Sequence, residues 1–155
     1  MEETKKKIAE TIFQKPTLIT VPVIKPSLFE KLHGIKERKF EIAPAPLATM
    51  IKISNILLNV TVDKDFNVDI MNSGLKIVST NGEDMARIIA LSVTSSRIEP
   101  PASLVRFFVN NLTSKKLNEL LAIVVEKLDL VNFIISIISI KKASLLEMNP
   151  KEQRS

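Results

Sequence analysis

The sequence predicts a mainly α-helical protein: a single-domain bundle of about five to six helices with a small N-terminal β-hairpin. Over most of the chain, apolar residues recur at intervals of three and four, which is the spacing of one helix face. A helix-start signal precedes several of these segments. It is either Ser or Thr with Glu three residues later, or a Pro at the start of the helix. Only two short segments are rich in β-branched residues. A chain of 155 residues suits one domain.

The chain opens with a predicted amphipathic helix, to which residues 1–16 are assigned. Its apolar face consists of Ile8, Ala9, Ile12 and Phe13. Pro16 ends the pattern, because proline cannot continue a helix. Residues 17–148 are predicted to form the helical domain, and residues 149–155 a polar tail.

Residues 17–43 are predicted to form a short hairpin with a helical insert. Residues 17–24 and 39–43 supply the two strands, since both are short and β-branched or alternating. Between them, Ser27-Leu-Phe-Glu30 has the pattern of a capping box, in which the hydroxyl and the carboxylate each accept a hydrogen bond from a backbone N–H. The insert is therefore expected to be one or two helical turns that end near Gly34.

Residues 46–142 are predicted to supply the remaining helices. Pro46 suits the first helical position, and the helix that follows is expected to reach about Val60. Its apolar positions are Leu47, Met50, Ile51, Leu57 and Leu58. Residues 65–79 favour a weaker helix that is bent at Gly74, since glycine destabilises a helix interior.

The segment Thr80-Asn-Gly-Glu83 has the pattern of a second capping box, which predicts that a new helix begins there. Glu83 and Asp84 would then lie at the positive end of that helix. A further helix is expected to begin at Pro101 or Ala102. Phe107 and Phe108 fall on it among apolar residues, which predicts that they pack in the core.

Two more caps are expected near the C-terminus. Thr113 is predicted to cap the helix 114–127, and Asp129 is predicted to cap the last helix, which runs to about Lys142.

That last helix is apolar around nearly its whole circumference. Its apolar residues include Leu130, Phe133, Ile134, Ile137 and Ile138, whereas Asn132, Ser136 and Ser139 share one narrow stripe. A strand would send Ser136 and Ser139 to opposite faces, so the spacing favours a helix. We expect most of the last two helices to be core, covered by the preceding helices. The apolar surface left over predicts partner contacts at Phe133, Ile137 and Ile140, for which simple core packing is the alternative.

The composition offers little for catalysis. The chain has no Cys and one His, His33, which is expected to be exposed. Its three glycines form neither a phosphate-binding loop nor a dinucleotide fingerprint. Residues 63–69 match the start of a calcium loop, but Val68 and Gly74 stand where that loop needs Gly and Glu. We therefore expect a non-enzyme with no catalytic residues, no cofactor and no metal site.

A membrane or nucleic-acid role is not expected either. The charged N-terminus lacks the features of a signal peptide, and the uncharged run 130–140 is about half the length of a membrane span. The expected location is the cytoplasm. The net charge is +5, but acids interleave with the basic clusters. No helix offers the exposed aromatic residues or the polar recognition face that nucleic-acid binding prefers.

Several segments from Lys39 onward follow a layout seen in one protein family. They are Lys39-Phe-Glu-Ile-Ala-Pro44 before the helix 47–58, Leu104-Val-Arg-Phe-Phe108, Asn111-Leu-Thr-Ser-Lys-Lys-Leu-Asn-Glu-Leu-Leu121, Leu128-Asp-Leu-Val-Asn-Phe133 and Leu145-Leu146. In this layout the chain resembles the small proteins described as phage tail assembly chaperones. The resemblance implies that the protein binds the apolar helices of a tape-measure protein until tail-tube subunits replace it, in the cytoplasm of a bacterial host.

Three hypotheses follow. The first is a non-enzymatic tail assembly chaperone or assembly adaptor that binds apolar helices of a protein partner. The second is a self-associating structural protein of a phage or mobile element, which would be a homo-oligomer. The third is a basic nucleic-acid-binding regulator.

Overall fold

The structure is a computed structural model, and it describes Thr4 and residues 15–60, 70–95 and 99–148. The predicted N-terminal helix, apart from Thr4, Lys15 and Pro16, lies outside the described residues. The same holds for the calcium-like segment 63–69 and for the polar tail 149–155.

The described residues form a helical domain with one small hairpin, as the sequence predicts. In chain order the elements are β1 (Thr17–Pro22), α1 (Leu28–His33), β2 (Glu37–Ile42), α2 (Leu47–Leu58), α3 (Ile70–Thr94), α4 (Ala102–Asn111), α5 (Ser114–Leu128) and α6 (Leu130–Met148). Five of these helices have ten or more residues, while α1 has six. The predicted fold class is confirmed.

One face of the hairpin packs against the helices. Strands β1 and β2 pair antiparallel, with Ile19 opposite Phe40 and Pro22 opposite Glu37 at the end of the ladder. Alternation along the strands directs Ile19, Val21 and Ile42 into the core. The predicted pairing of these two segments is thus confirmed.

The helical insert α1 is held by the predicted capping box. The backbone N–H of Ser27 donates to Glu30 Oε2 at 2.8 Å, and the backbone N–H of Glu30 donates to Ser27 Oγ at 3.3 Å. Gly34 ends the helix with φ of 64°, a left-handed conformation that favours glycine. Local sequence alone therefore specifies both ends of α1.

Helix α3 is the centre of the domain. It packs against α2, α4, α5 and β2. Its residues Ile88, Ile89 and Leu91 are buried, and they form one core with residues of the neighbouring elements. Those residues include Ile53, Phe107, Phe108, Leu120, Val124 and Leu128. The prediction that the two phenylalanines pack in the core is confirmed.

The predicted helix start at Thr80 is wrong. Helix α3 runs unbroken from Ile70 to Thr94, so Glu83 and Asp84 lie in its interior. Asn81 is buried, and its Nδ2 donates to the carbonyl of Ile77 at 3.1 Å instead of capping a new helix. Core burial of the following residues and continuous backbone hydrogen bonding outweigh the roughly 1 kcal/mol that Gly82 costs within a helix.

Of the other predicted helix ends, one agrees with the structure and two differ from it. Thr113 caps α5, with its side chain accepting from the backbone N–H of Lys116 at 3.2 Å, as predicted. Pro46 occupies the cap position before α2 rather than the first helical position. Asp129, which is predicted to cap α6, forms the C-terminal cap of α5 in a left-handed conformation, with φ of 48°. Its carboxylate accepts from the Asn132 side chain, and its carbonyl accepts from Phe133 N.

Candidate partner-binding surface

The closing helix α6 is exposed on every side along its middle part. Each residue from Val131 to Ile140 is solvent-exposed. Phe133 is 44% exposed, Ile137 is 50% exposed and Ile140 is 67% exposed. The segment is helical, as predicted, but the expectation that α6 belongs mostly to the core is wrong.

Helix α5, which directly precedes α6, directs its apolar face into the core and not toward α6. Leu120, Val124 and Leu128 of α5 are buried in the core, so the core assignment holds for the first helix of the closing pair. Among the described residues, none of the extensive packing between elements involves α6. Leu130 in its first turn packs against the core, whereas each residue from Val131 to Ala143 is exposed.

The polar stripe of α6 is largely satisfied within the helix. Ser136 Oγ donates to the carbonyl of Asn132 at 2.9 Å, and Ser139 Oγ donates to the carbonyl of Ile135 at 2.8 Å. The side chain of Asn132 donates to the carboxylate of Asp129. Since these donors already have acceptors, α6 presents little hydrogen-bonding demand to a partner.

A recess extends the apolar surface from α6 to α2. Its volume is about 230 Å³, and it is lined by Leu47, Met50, Ile51, Ser54, Asn55, Leu130 and Phe133. No charged residue is among these lining residues. We call this feature the α2/α6 groove. Phe133, the first of the three predicted contact residues, thus lies in a concave site with the outer face of α2.

The contribution of α2 to this surface is not among the predictions from the sequence, although a signal for it is present. Leu47, Ile51, Ser54 and Leu58 fall on one helical stripe, and the buried residues Thr49 and Ile53 fall on the opposite stripe. A helix that is apolar on two opposite faces can bury one of them in the core, and the other face then remains at the surface. Leu47, Ile51 and Leu58 are indeed exposed.

The three predicted contact residues share one stripe of α6. Phe133, Ile137 and Ile140 are spaced at i, i+4 and i+7, so their side chains follow one another along the helix. The stripe starts at the α2/α6 groove and continues along the exposed part of α6. What this surface offers a ligand is apolar area, with no titratable group among the three.

Other candidate chemistry is sparse in the described residues. His33 is exposed, as predicted, and its Nδ1 lies 2.9 Å from the carbonyl oxygen of Phe29. Across the described ranges, no group of three His, Asp or Glu residues lies close enough together to hold a metal ion. Among the helices that the structure describes, none has the length and hydropathy needed to cross a membrane.

Comparisons with family models, with curated proteins and with solved structures found no significant match. The resemblance to phage tail assembly chaperones stays a prediction.

Proposed function

We propose that the protein is a non-enzymatic assembly chaperone or adaptor that binds an apolar helix of a protein partner. The binding surface consists of the α2/α6 groove and the stripe Phe133, Ile137 and Ile140. The observation that carries the proposal is the exposure of every residue from Val131 to Ile140. Contiguous apolar surface of this kind marks an interaction site in soluble proteins.

The energetics of the surface favour binding. Full burial of one Ile, Leu or Phe side chain contributes about 1.5 to 3 kcal/mol. Association costs about 4 to 15 kcal/mol in lost translational and rotational freedom. The three stripe residues, Leu47 and Ile51 are about half exposed, so their burial contributes about 4 to 8 kcal/mol, which offsets the lower part of that cost. Burial of further exposed residues of α6 would add to this gain.

The shape and chemistry of the surface indicate the kind of partner. Two helices pack side by side through apolar side chains at intervals of three and four, and the stripe on α6 has this spacing, so a second apolar helix matches it. The uncharged groove selects for apolar side chains rather than for one sequence. Met50 in its wall has an unbranched side chain, which adapts to differently shaped side chains.

The resemblance to tail assembly chaperones supplies a specific partner for this proposal. A tape-measure protein carries long apolar helices, which aggregate unless they are covered during tail assembly. Binding such helices on α6 would keep them available until tail-tube subunits replace the chaperone. This activity would take place in the cytoplasm of the bacterial host of a phage.

Co-expression with apolar coiled-coil fragments of candidate tape-measure proteins tests the proposal, with capture read by pull-down and light scattering. We expect the wild-type protein to retain a fragment in solution and Ile137→Glu to lose it. Leu32→Glu is the matched control, because Leu32 is exposed on α1 and the substitution is of the same kind. Equal capture by the two variants, or a stable homo-oligomer that captures no fragment, would contradict the proposal.

Self-association of α6 is a second candidate that the charge pattern favours. Asp129 precedes the uncharged stretch of α6, and Lys141 and Lys142 follow it. Antiparallel pairing of two copies would place opposite charges beside each other at both ends. Sedimentation would show a dimer that Lys141→Glu with Lys142→Glu dissociates. Nucleic-acid binding gains no such support, because Phe107 and Phe108 are buried and cannot stack on bases.

A further inference from the structure

A second recess lies where the turn of the hairpin meets α4, and three cations line it. Its volume is about 480 Å³, and the cations are Lys25, Arg38 and Arg106. Glu30 is the one acidic residue among the lining residues. Within the described residues, neither Lys25 nor Arg106 forms an ion pair. We call this recess the basic recess.

The walls of the basic recess are fixed by buried contacts. Asn111 is buried, and its Oδ1 accepts from the backbone N–H groups of Ile24 at 2.7 Å and Lys25 at 2.8 Å. Its Nδ2 donates to the carbonyl of Phe107 at 2.8 Å. These bonds clamp the chain at Lys25 to α4, and a ligand therefore meets a preorganised wall.

Two further contacts define the electrostatics of the recess. The guanidinium carbon of Arg38 lies 4.4 Å from the ring centroid of Phe107. Stacking uses the flat face of the guanidinium and leaves N–H groups on its edge free to donate. The carboxylate of Glu30 is engaged by the backbone N–H of Ser27 at 2.8 Å. The lining thus holds three cationic groups against one carboxylate that already has a donor.

A neighbouring recess shares Arg106 and has a different character. Its volume is about 340 Å³, and it is lined by Glu83, Arg87, Pro100, Ala102, Val105, Arg106 and Val109. Arg87 Nε lies 3.0 Å from Glu99 Oε2, so the charge of Arg87 is compensated. Arg106 therefore lies between the basic recess and a recess that combines apolar side chains with the carboxylate of Glu83.

We propose that the two recesses together bind a short acidic peptide segment of a protein partner. A carboxylate of the segment would lie among Lys25, Arg38 and Arg106, and an adjacent apolar side chain would pack on Val105 and Val109. A nucleic-acid strand needs cations that follow its backbone, whereas the cations here are confined to one recess. The proposal is independent of the partner helix proposed for α6.

Nuclear magnetic resonance titration of the ¹⁵N-labelled full chain tests this site. The probe is a short peptide with blocked termini, in which pairs of Glu residues alternate with pairs of Leu residues. The control peptide has Gln in place of each Glu. We expect the Glu peptide to shift the backbone amides of Lys25, Arg106 and Asn110. Arg106→Glu should weaken binding by about tenfold or more, which corresponds to about 1.4 kcal/mol. Lys115→Glu makes an equal charge change at an exposed site on α5, and it should change the affinity for the Glu peptide by less than about twofold.

Three kinds of result would overturn the proposal. One is the absence of shifts at these amides up to millimolar Glu peptide. Another is equal binding of the Glu and Gln peptides, or of the Glu peptide to wild type and Arg106→Glu. The third is tighter binding of a single-stranded oligonucleotide than of the Glu peptide with the same dependence on Arg106, which would assign the recess to nucleic acid. Since Arg106 is exposed, the variant is expected to fold, and its own amide spectrum verifies this.

Discussion

Asn111 and Lys25 are linked by a hydrogen bond of 2.8 Å from the Lys25 backbone N–H to Asn111 Oδ1, across a sequence separation of 86 residues. The same oxygen accepts from Ile24 N, so one buried amide fastens the end of the hairpin to α4. Asn111→Ala should lower the free energy of unfolding by about 2 to 4 kcal/mol, because it removes the acceptor for two backbone N–H groups. Urea denaturation measures this loss.

The neighbouring Asn110 provides the control for that measurement. It is exposed, and Asn110→Ala should change the free energy of unfolding by no more than about 0.5 kcal/mol. Similar losses in the two variants would mean that Asn111 does not hold the hairpin.

The contribution of the α1 capping box to the free energy of unfolding should be measurable on its own. Ser27→Ala removes the hydroxyl that accepts from Glu30 N, and we expect a loss of about 1 kcal/mol in the free energy of unfolding. Ser103→Ala, at an exposed site near the start of α4, should have little effect. A Ser27→Ala variant as stable as wild type would show that the insert does not depend on this cap.

Glu30 should make stability depend on pH in the acid range. The hydrogen bond from the Ser27 backbone holds the pKa of Glu30 below its ordinary value, and the charge of Arg38 lowers it further. A carboxyl whose pKa is lower in the folded state stabilises the fold above the unfolded pKa, about 4.3 for Glu. That contribution is lost as the pH falls through the folded pKa. The stability difference between wild type and Glu30→Gln should therefore shrink in acid, and a difference that stays constant from pH 7 to pH 3 would contradict this.

The two glycines Gly82 and Gly34 should respond oppositely to alanine. Gly82 lies inside α3, and no atom stands within 4 Å of an added Cβ, so Gly82→Ala should raise the free energy of unfolding by about 1 kcal/mol. Gly34 has φ of 64°, which disfavours alanine, so Gly34→Ala should lower the free energy of unfolding by about 1 kcal/mol or more. Thermal denaturation of both variants tests the continuity of α3, since a destabilised Gly82→Ala would indicate a turn there.

Local signals in the sequence were sufficient for the hairpin, α1 and the cap of α5, because each depends on residues close in the chain. Ser27 with Glu30, Gly34 and Thr113 all behave as their patterns predict. The second capping box failed because the residues that follow it, Ala86 and Ile88 to Leu91, are buried in the core, and tertiary packing outweighed the local pattern.

Two features of the candidate sites were beyond sequence reasoning for a different reason. The apolar pattern of α6 shows that the helix needs cover, but it does not show whether the cover comes from the same chain. The clamp formed by Asn111 joins segments that are distant in sequence, and an Asn at a helix end has no distinguishing local signal.

Hydrogen–deuterium exchange of residues 131–140 tests most directly whether α6 is a partner-binding surface or part of the core. We predict rapid amide exchange in the dilute monomer, because an isolated helix rich in isoleucine is marginally stable. Exchange should slow when a captured apolar helix is present, and Ile137→Glu should abolish the slowing. Protection in the free monomer equal to that of residues 86–92 of α3 would contradict the account, since it would place α6 within the core of its own chain.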